Sequence, residues 1–204
     1  EGVAFQQLHT GAVYLHQGEP YFIEHLDLDS HTASVVPHDG EFYTQIKDFT
    51  DIEILGVRNF RFAGGVEVHL GDVGVTNHVT GFRKRRPFTE EFIGEELLDL
   101  PPRRFNTVGL WFDIPQHVLD WVAKERLDLA GGLHAVEHAA IGVLPLYALC
   151  DRNDIGGVST PLHPNTGKPQ VFIYDGHPGG IGIAERGYQI IQQPWNTTLQ
   201  VVSE

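Results

Sequence analysis

The fold of this chain is decided by the stretch Leu133-His-Ala-Val-Glu-His-Ala-Ala-Ile-Gly-Val-Leu-Pro-Leu-Tyr-Ala-Leu149. Apolar residues recur along it at helical spacing and form one stripe that includes Leu133, Ile141 and Leu144. Gly131-Gly132 precede the stretch, and Pro145 is expected to kink it. The pattern predicts a long apolar helix over 133–149 that packs into the core of the second half of the chain.

Strands and helices alternate on both sides of this helix. The predicted elements are a strand at Thr107–Ile114, a helix from Pro115 to about Arg126, a buried strand at Gln170–Tyr174, and a last helix that opens at Pro178 and runs to about Gln193. Residues 105–204 are therefore expected to form a mixed α/β subdomain.

Short strands and tight turns characterise residues 1–87. The candidate strands are Ala12–His16, Tyr21–Leu26, His31–Val36, Ile52–Phe62, Val66–Leu70 and Val73–Thr80, with a Gly64-Gly65 turn. This spacing predicts a small antiparallel β-barrel or curled sheet of SH3-like or OB-like topology.

A connection is predicted between the two subdomains at residues 88–104. It is acidic, contains Pro101-Pro102, and includes a candidate short helix at Glu90–Leu98. The fold class predicted for the whole chain is α+β.

The composition is that of an ordinary globular protein. The chain has 204 residues, of which 41% are hydrophobic and 20% charged. No run approaches the roughly 18 consecutive apolar residues of a membrane span, so we expect no membrane partner. The single cysteine, Cys150, excludes an internal disulfide and fits a reducing, cytoplasmic location.

The formal net charge of −13 bears on nucleic-acid binding. A polyanion gains affinity from cationic side chains that displace its counterions, so an acidic surface should bind DNA poorly. The basic run Arg83, Lys84, Arg85 and Arg86 is the exception. It is either a solvated loop or a patch that contacts phosphates or another domain.

The sequence His134-Ala-Val-Glu137-His138 fits the pattern H-x-x-E-H. On a helix these positions share one face, so His134 and His138 can meet one zinc ion while Glu137 acts on a bound water. The pattern is short, and the chain contains 12 histidines. It indicates either a zinc metallohydrolase or polar residues at the start of a buried helix.

A glycine-rich corner follows the strand at 170–174 and reads Tyr174-Asp-Gly-His-Pro-Gly-Gly-Ile-Gly182. A turn of this kind exposes backbone N–H groups at a helix N-terminus, where they can hold an anion. The corner lacks the Gly-Lys-Ser/Thr ending of a P-loop and the spacing of a dinucleotide fingerprint. It is either an anion site or a tightly packed strand–helix corner.

Three ordered motifs resemble one known family. They are His134–Ala139, then Leu144-Pro-Leu-Tyr-Ala-Leu-Cys-Asp-Arg-Asn-Asp-Ile-Gly-Gly157, then Tyr174-Asp-Gly-His-Pro-Gly-Gly-Ile-Gly-Ile-Ala-Glu-Arg-Gly-Tyr188. This series resembles the C-terminal zinc-binding domain of MrfA/YprA-like DEAD/DEAH-box helicases, a domain formerly of unknown function. The segment with Gly11–Gly18 and Tyr43–Gln45 looks like the region that precedes this domain.

The resemblance implies a parent enzyme that uses ATP and Mg²⁺ in its motor domains to move on DNA, with a role in DNA repair. It also implies one zinc ion held by four cysteines, of which Cys150 matches the first. The other three have no counterpart, because the chain ends at Val201–Glu204, where their cluster would begin. We therefore expect zinc in the parent protein but not in this chain, and the family assigns H-x-x-E-H to an ordinary helix.

The chain contains neither a Gly-Lys-Thr loop nor an Asp-Glu-x-His box. We therefore expect a non-catalytic accessory region of an ATP-dependent DNA helicase, with the motor domains in cis and DNA as its partners. The alternatives are a zinc metallohydrolase built on His134, Glu137 and His138, and an interaction module without a role on DNA.

Overall fold

A computed structural model describes residues 2–191 of the chain. They divide into two compact units that interleave in sequence: the first contains residues up to Thr50 together with Thr76–Arg103, and the second contains Asp51–Val75 and the residues from Arg104 on. The predicted segments 1–87, 88–104 and 105–204 are sequential, and as domain boundaries they remain a prediction.

The first unit opens with helix α1 (Gly2–Gln7) and an antiparallel sheet of order β1-β2-β3. The strands are β1 (Val13–His16), β2 (Glu19–Asp27) and β3 (Thr32–Pro37). Gln17 and Gly18 both have positive φ, as the two-residue turn of a twisted hairpin requires. All three predicted strands of this region are present.

Two long neighbouring strands follow, β4 (Tyr43–Ala63) and β5 (Val66–Arg85), joined at the predicted Gly64-Gly65 turn. Both glycines have positive φ. The sequence predicted two strands within 66–80, whereas the structure has a single strand that continues to Arg85. Each of the two long strands contributes residues to both units.

The predicted helix at Glu90–Leu98 is wrong. Phe92–Leu97 forms strand β6, which pairs antiparallel with β5 so that Arg83 lies opposite Glu95 and Phe82 opposite Glu96. Pairing with the end of β5 supplies backbone hydrogen bonds that a short isolated helix of this composition would not match.

The second unit adds β7 (Arg103–Asp113), β8 (Ile155–Thr160) and β9 (Gln170–Asp175) to the larger sheet, whose order is β4-β5-β7-β9-β8. Every residue of β9 is buried, and it pairs antiparallel with both of its neighbours. The described strands form antiparallel sheets without closing a barrel, so the predicted barrel and its SH3-like or OB-like topology are not confirmed. The α+β class, with antiparallel sheets and a long helix, is confirmed.

The helix predicted from Pro115 to about Arg126 is present as α2 (Gln116–Lys124), with Pro115 as the residue that precedes its first turn. The long apolar helix is present as α3 (Leu129–Val143), followed after Leu144 by the short α4 (Pro145–Ala148). It begins four residues earlier than predicted because the Asp128 side chain accepts a hydrogen bond from the Ala130 N–H at 3.1 Å.

Helix α3 packs on β8 and β9, and three of its buried apolar residues join the main core. They are Leu133, Ala140 and Ile141. The last helix, α5 (Ile183–Ile190), begins after the glycine-rich corner. Its predicted end near Gln193 lies outside the described residues.

By length and composition alone, Leu129–Ala148 is apolar enough to cross a membrane, with a mean hydropathy of 1.3. This is weak evidence for a membrane span, since the core helix of a soluble protein passes the same test. The expectation of no membrane partner therefore stays a prediction.

A substitution of Gly71 on β5 tests how closely the strands of the second unit approach one another. A Cβ at this position would lie 2.1 Å from the Gly56 carbonyl oxygen and 3.0 Å from the Trp111 ring. We expect Gly71→Ala to lower the free energy of unfolding by about 1–3 kcal/mol in chemical denaturation, because backbone cannot move aside cheaply.

Gly74→Ala on the same strand is the matched control. Its Cβ would meet nothing closer than 3.6 Å, at the Leu55 side chain. Equal losses of stability in the two variants would contradict the packing derived for Gly71.

Candidate functional site

The two histidines of the H-x-x-E-H pattern lie side by side on an exposed face of α3. The Nε2 atoms of His134 and His138 are 3.1 Å apart, and the two rings meet edge to face at 4.3 Å between centroids. The side chain of His134 is 63% exposed. One helical turn therefore presents two imidazole nitrogens to solvent at nearly one point.

Glu137, in contrast to the two exposed histidines, is buried in the seam between α3 and β8. Its Oε2 accepts a hydrogen bond from Ser159 Oγ at 2.6 Å and lies 3.4 Å from Nδ1 of His134. Gly157 makes room for it, since a Cβ there would lie 2.9 Å from the Glu137 side chain. Glu137 thus anchors the helix to the sheet.

This arrangement bears on the metallohydrolase alternative. His134, Glu137 and His138 place three ligand atoms within 4.8 Å of one another, and the group has no fourth member among residues 2–191. A catalytic zinc takes three protein ligands and needs a further base for its water. Glu137 would have to fill both roles, so the alternative stays a prediction without a complete set of groups.

In the glycine-rich corner, the backbone N–H groups bind a carboxylate side chain of the same chain. The fully buried carboxylate of Asp175 accepts hydrogen bonds from four backbone N–H groups at the start of α5. Oδ2 receives those of Ile181, Gly182 and Ile183 at 2.6, 2.9 and 3.3 Å, and Oδ1 receives that of Ala184 at 2.7 Å. The donors that an external anion would need are therefore already in use.

Neighbouring contacts fix the same corner. Thr107 Oγ1 lies 2.9 Å from the carbonyl oxygens of both Asp175 and His177. The Gly179 N–H donates to the Asn106 carbonyl at 2.8 Å. Of the two interpretations of the corner, the tightly packed strand–helix connection is the one that the structure supports.

Cys150, the predicted zinc ligand, is partly buried just after α4. Burial raises the pKa of its thiol, and the negative charges of Asp154 and Asp175 raise it further. Within the described part of the chain, no group of three metal-ligating residues includes Cys150. Because the chain has a single cysteine, its own residues do not fit a four-thiolate zinc site.

Three of the four cations in the basic run 83–86 are paired with nearby carboxylates. Arg83 Nε lies 3.2 Å from Glu95 Oε2, and Arg86 Nε lies 3.1 Å from Glu91 Oε2. Lys84 pairs with Glu96, and Arg85 donates to the Gln45 side chain and the Glu90 carbonyl. The run is not a free cationic patch, and its predicted role in nucleic-acid binding stays a prediction.

A second group of potential metal ligands was missed by sequence reasoning. It comprises Glu67, His69 and Asp113, which are brought together by β5 and β7 and have no recognisable spacing in the sequence. Asp113 already accepts hydrogen bonds from the ammonium of Lys168 and from Gln170 Nε2. The Lys168 ammonium therefore lies where a metal ion would bind Asp113. We interpret Glu67, His69 and Asp113 as part of an ion-pair network rather than a metal site.

Comparison with known proteins finds a family model that matches the C-terminal part of this chain. The model of the MrfA Zn-binding domain matches residues 136–204, which begin within α3 and include the corner and Cys150. The predicted resemblance to the zinc-binding domain of MrfA/YprA-like helicases is confirmed.

Similarity to helicases extends beyond that domain. The chain is 34% identical over 188 residues to the uncharacterised ATP-dependent helicase YprA of Bacillus subtilis, and 32% identical over 151 residues to the ATP-dependent helicase HRQ1 of Saccharomyces cerevisiae. These matches cover 91% and 72% of this chain, but only 24% and 14% of the two relatives. The chain thus spans about a quarter or less of their length.

Comparison with solved structures also finds helicases. A crystal structure of the helicase MrfA bound to DNA matches the whole chain with a TM-score of 0.64 and 30% identity, over 27% of its own length. A structure of MrfA described without DNA gives a TM-score of 0.67 at 26% identity. The stretch that matches the MrfA Zn-binding domain therefore lies in a longer region that is similar in fold to 27% of MrfA.

Asp175→Ala tests the carboxylate that caps α5. The variant leaves four amides without their acceptor, two of which belong to the buried residues Ile183 and Ala184, so we expect the free energy of unfolding to fall by about 2–4 kcal/mol. Chemical denaturation measures it. Asp29→Ala, at an exposed turn, is the control, and a loss for Asp175→Ala as small as for Asp29→Ala would contradict the role assigned to the carboxylate.

The raised pKa of Cys150 predicts slow alkylation. The thiolate is the reactive form, so the rate with iodoacetamide should be lower at pH 7.5 than in the same chain unfolded by urea, and its midpoint should lie at higher pH. Asp154→Asn removes a nearby negative charge and should shift the midpoint back toward lower pH. A native midpoint at or below that of the unfolded chain would be incompatible with this assignment.

Proposed function

We propose that this chain is a non-catalytic accessory region of an ATP-dependent DNA helicase. The observation that carries the proposal is the similarity to the helicase YprA along 91% of the chain, together with the match of residues 136–204 to the MrfA Zn-binding domain. The sequence contains no Gly-Lys-Thr loop or Asp-Glu-x-His box. ATP and Mg²⁺ would therefore bind to motor domains elsewhere in the parent protein.

The parent protein is proposed to hold one zinc ion, with Cys150 as one of four cysteine ligands. A structural zinc ion would fix the position of its ligands and contribute directly to the stability of the domain. Since this chain supplies one thiol, nothing in its own folding is assigned to zinc. A cytoplasmic location and the absence of a membrane partner are further parts of the proposal.

Contact with DNA is proposed for Arg83, Lys84, Arg85 and Arg86 in the full-length protein. Their carboxylate partners on and before β6 compete with phosphates for the same cations. DNA would have to replace these partners, which lowers the affinity of non-specific binding. With a net charge of −13, the isolated chain is expected to bind DNA weakly.

Charge reversal in the full-length protein tests this contact. We expect Lys84→Glu to lower DNA-stimulated ATP hydrolysis and duplex unwinding severalfold at low salt, because it places a negative charge at the proposed phosphate contact. The measurement is the rate of each reaction as a function of salt concentration.

The charge-swapped variant Lys84→Glu/Glu96→Lys is the matched control, since it restores the ion pair within the sheet. If the contact is to DNA, the swap should not recover the full rate, because the positive charge now lies on β6. Full recovery by the swap would mean that Lys84 acts only through its pair with Glu96, and unchanged rates in Lys84→Glu would contradict the proposed contact altogether.

A further inference from the structure

The exposed turn of α3 has the geometry of a metal site that is separate from Cys150. In zinc proteins the metal–nitrogen distance is about 2.0–2.1 Å, so two imidazole ligands lie about 3.3–3.4 Å apart in a tetrahedral site and about 2.9 Å apart at a right angle. The observed separation of 3.1 Å between the Nε2 atoms of His134 and His138 falls between these values. One metal ion can therefore contact both nitrogens after a small adjustment.

Glu137 supplies a third ligand from the same turn. A carboxylate oxygen of Glu137 and one nitrogen of each histidine lie within 4.8 Å of one another. Ser159 Oγ donates to Glu137 Oε2, and Gly157 leaves the space into which the side chain fits. A carboxylate held by a partner in this way is oriented for metal binding before the metal arrives.

We propose that His134, Glu137 and His138 bind one divalent transition-metal ion, and that this ion ties α3 to β8 through the Glu137–Ser159 hydrogen bond. Two imidazoles and a carboxylate favour Zn²⁺, Co²⁺, Ni²⁺ or Cu²⁺ over Mg²⁺ and Ca²⁺. The role is structural, since Glu137 serves as a ligand and as the anchor to β8. Solvent or a ligand from another molecule completes the coordination on the exposed side of His134.

The other ligand group does not have these properties. There, the Lys168 ammonium already compensates the charge of Asp113, and the carboxylate raises the pKa of Lys168, which keeps the lysine in its cationic form. In the proposed site, by contrast, both imidazoles are exposed and their nearest nitrogens face each other. The inference is thus specific to one turn of α3.

Two measurements test the proposal. The first is a calorimetric titration of the chain with Zn²⁺, and the second is a thermal melt recorded with and without the metal. We expect one site per chain and a rise in Tm, because an ion that binds only the folded state stabilises it by mass action. His134→Ala and His138→Ala should each weaken binding roughly 10–100-fold or more and abolish the rise in Tm. Both side chains are exposed, so the variants should keep the far-ultraviolet circular dichroism of the parent chain.

Two controls separate this site from other ligands in the chain. His117→Ala removes an exposed histidine on α2, and Cys150→Ser removes the only thiol; both should bind Zn²⁺ like the unchanged chain. The proposal is overturned if the unchanged chain binds no Zn²⁺ below about 1 mM. It is equally overturned if binding survives in His138→Ala or is lost in Cys150→Ser.

Discussion

The second unit depends on one buried carboxylate. Asp175 ends β9, the strand buried along its whole length, and its two oxygens accept four backbone hydrogen bonds at the start of α5. A buried charge is tolerated only when it is fully hydrogen-bonded, and a helix N-terminus offers both the donors and a favourable dipole. This contact sets where the chain leaves the sheet and where α5 begins.

The seam between α3 and β8 is the second constraint. Gly157 lets the helix approach the strand closely, and Glu137 crosses the seam to Ser159. The one buried polar residue of the H-x-x-E-H pattern thus lies toward the sheet, while the two histidines lie toward solvent. Because the three residues share one helical turn, they match the spacing of a peptidase signature. The described residues do not supply the remaining groups of a peptidase site.

Local sequence signals predicted the elements that depend on local chemistry, and tertiary pairing decided the rest. Periodicity identified α3 and β9, and paired glycines identified the β4–β5 turn. β8 was missed because Gly156 and Gly157 lower its strand propensity, although the same glycines permit its packing. The basic run was visible in sequence, but its ion pairs with Glu91, Glu95 and Glu96 follow from the pairing of β6 with β5, which no local signal reports. Asp175 was visible within the corner, but its role depends on where α5 starts.

The central claim is that this region assists a helicase without itself hydrolysing ATP. The most direct measurement compares ATP hydrolysis and duplex unwinding by the full-length protein with those of a variant that lacks the residues of this chain. The account predicts that the variant still hydrolyses ATP while its unwinding falls severely. Unwinding at the unchanged rate would contradict it.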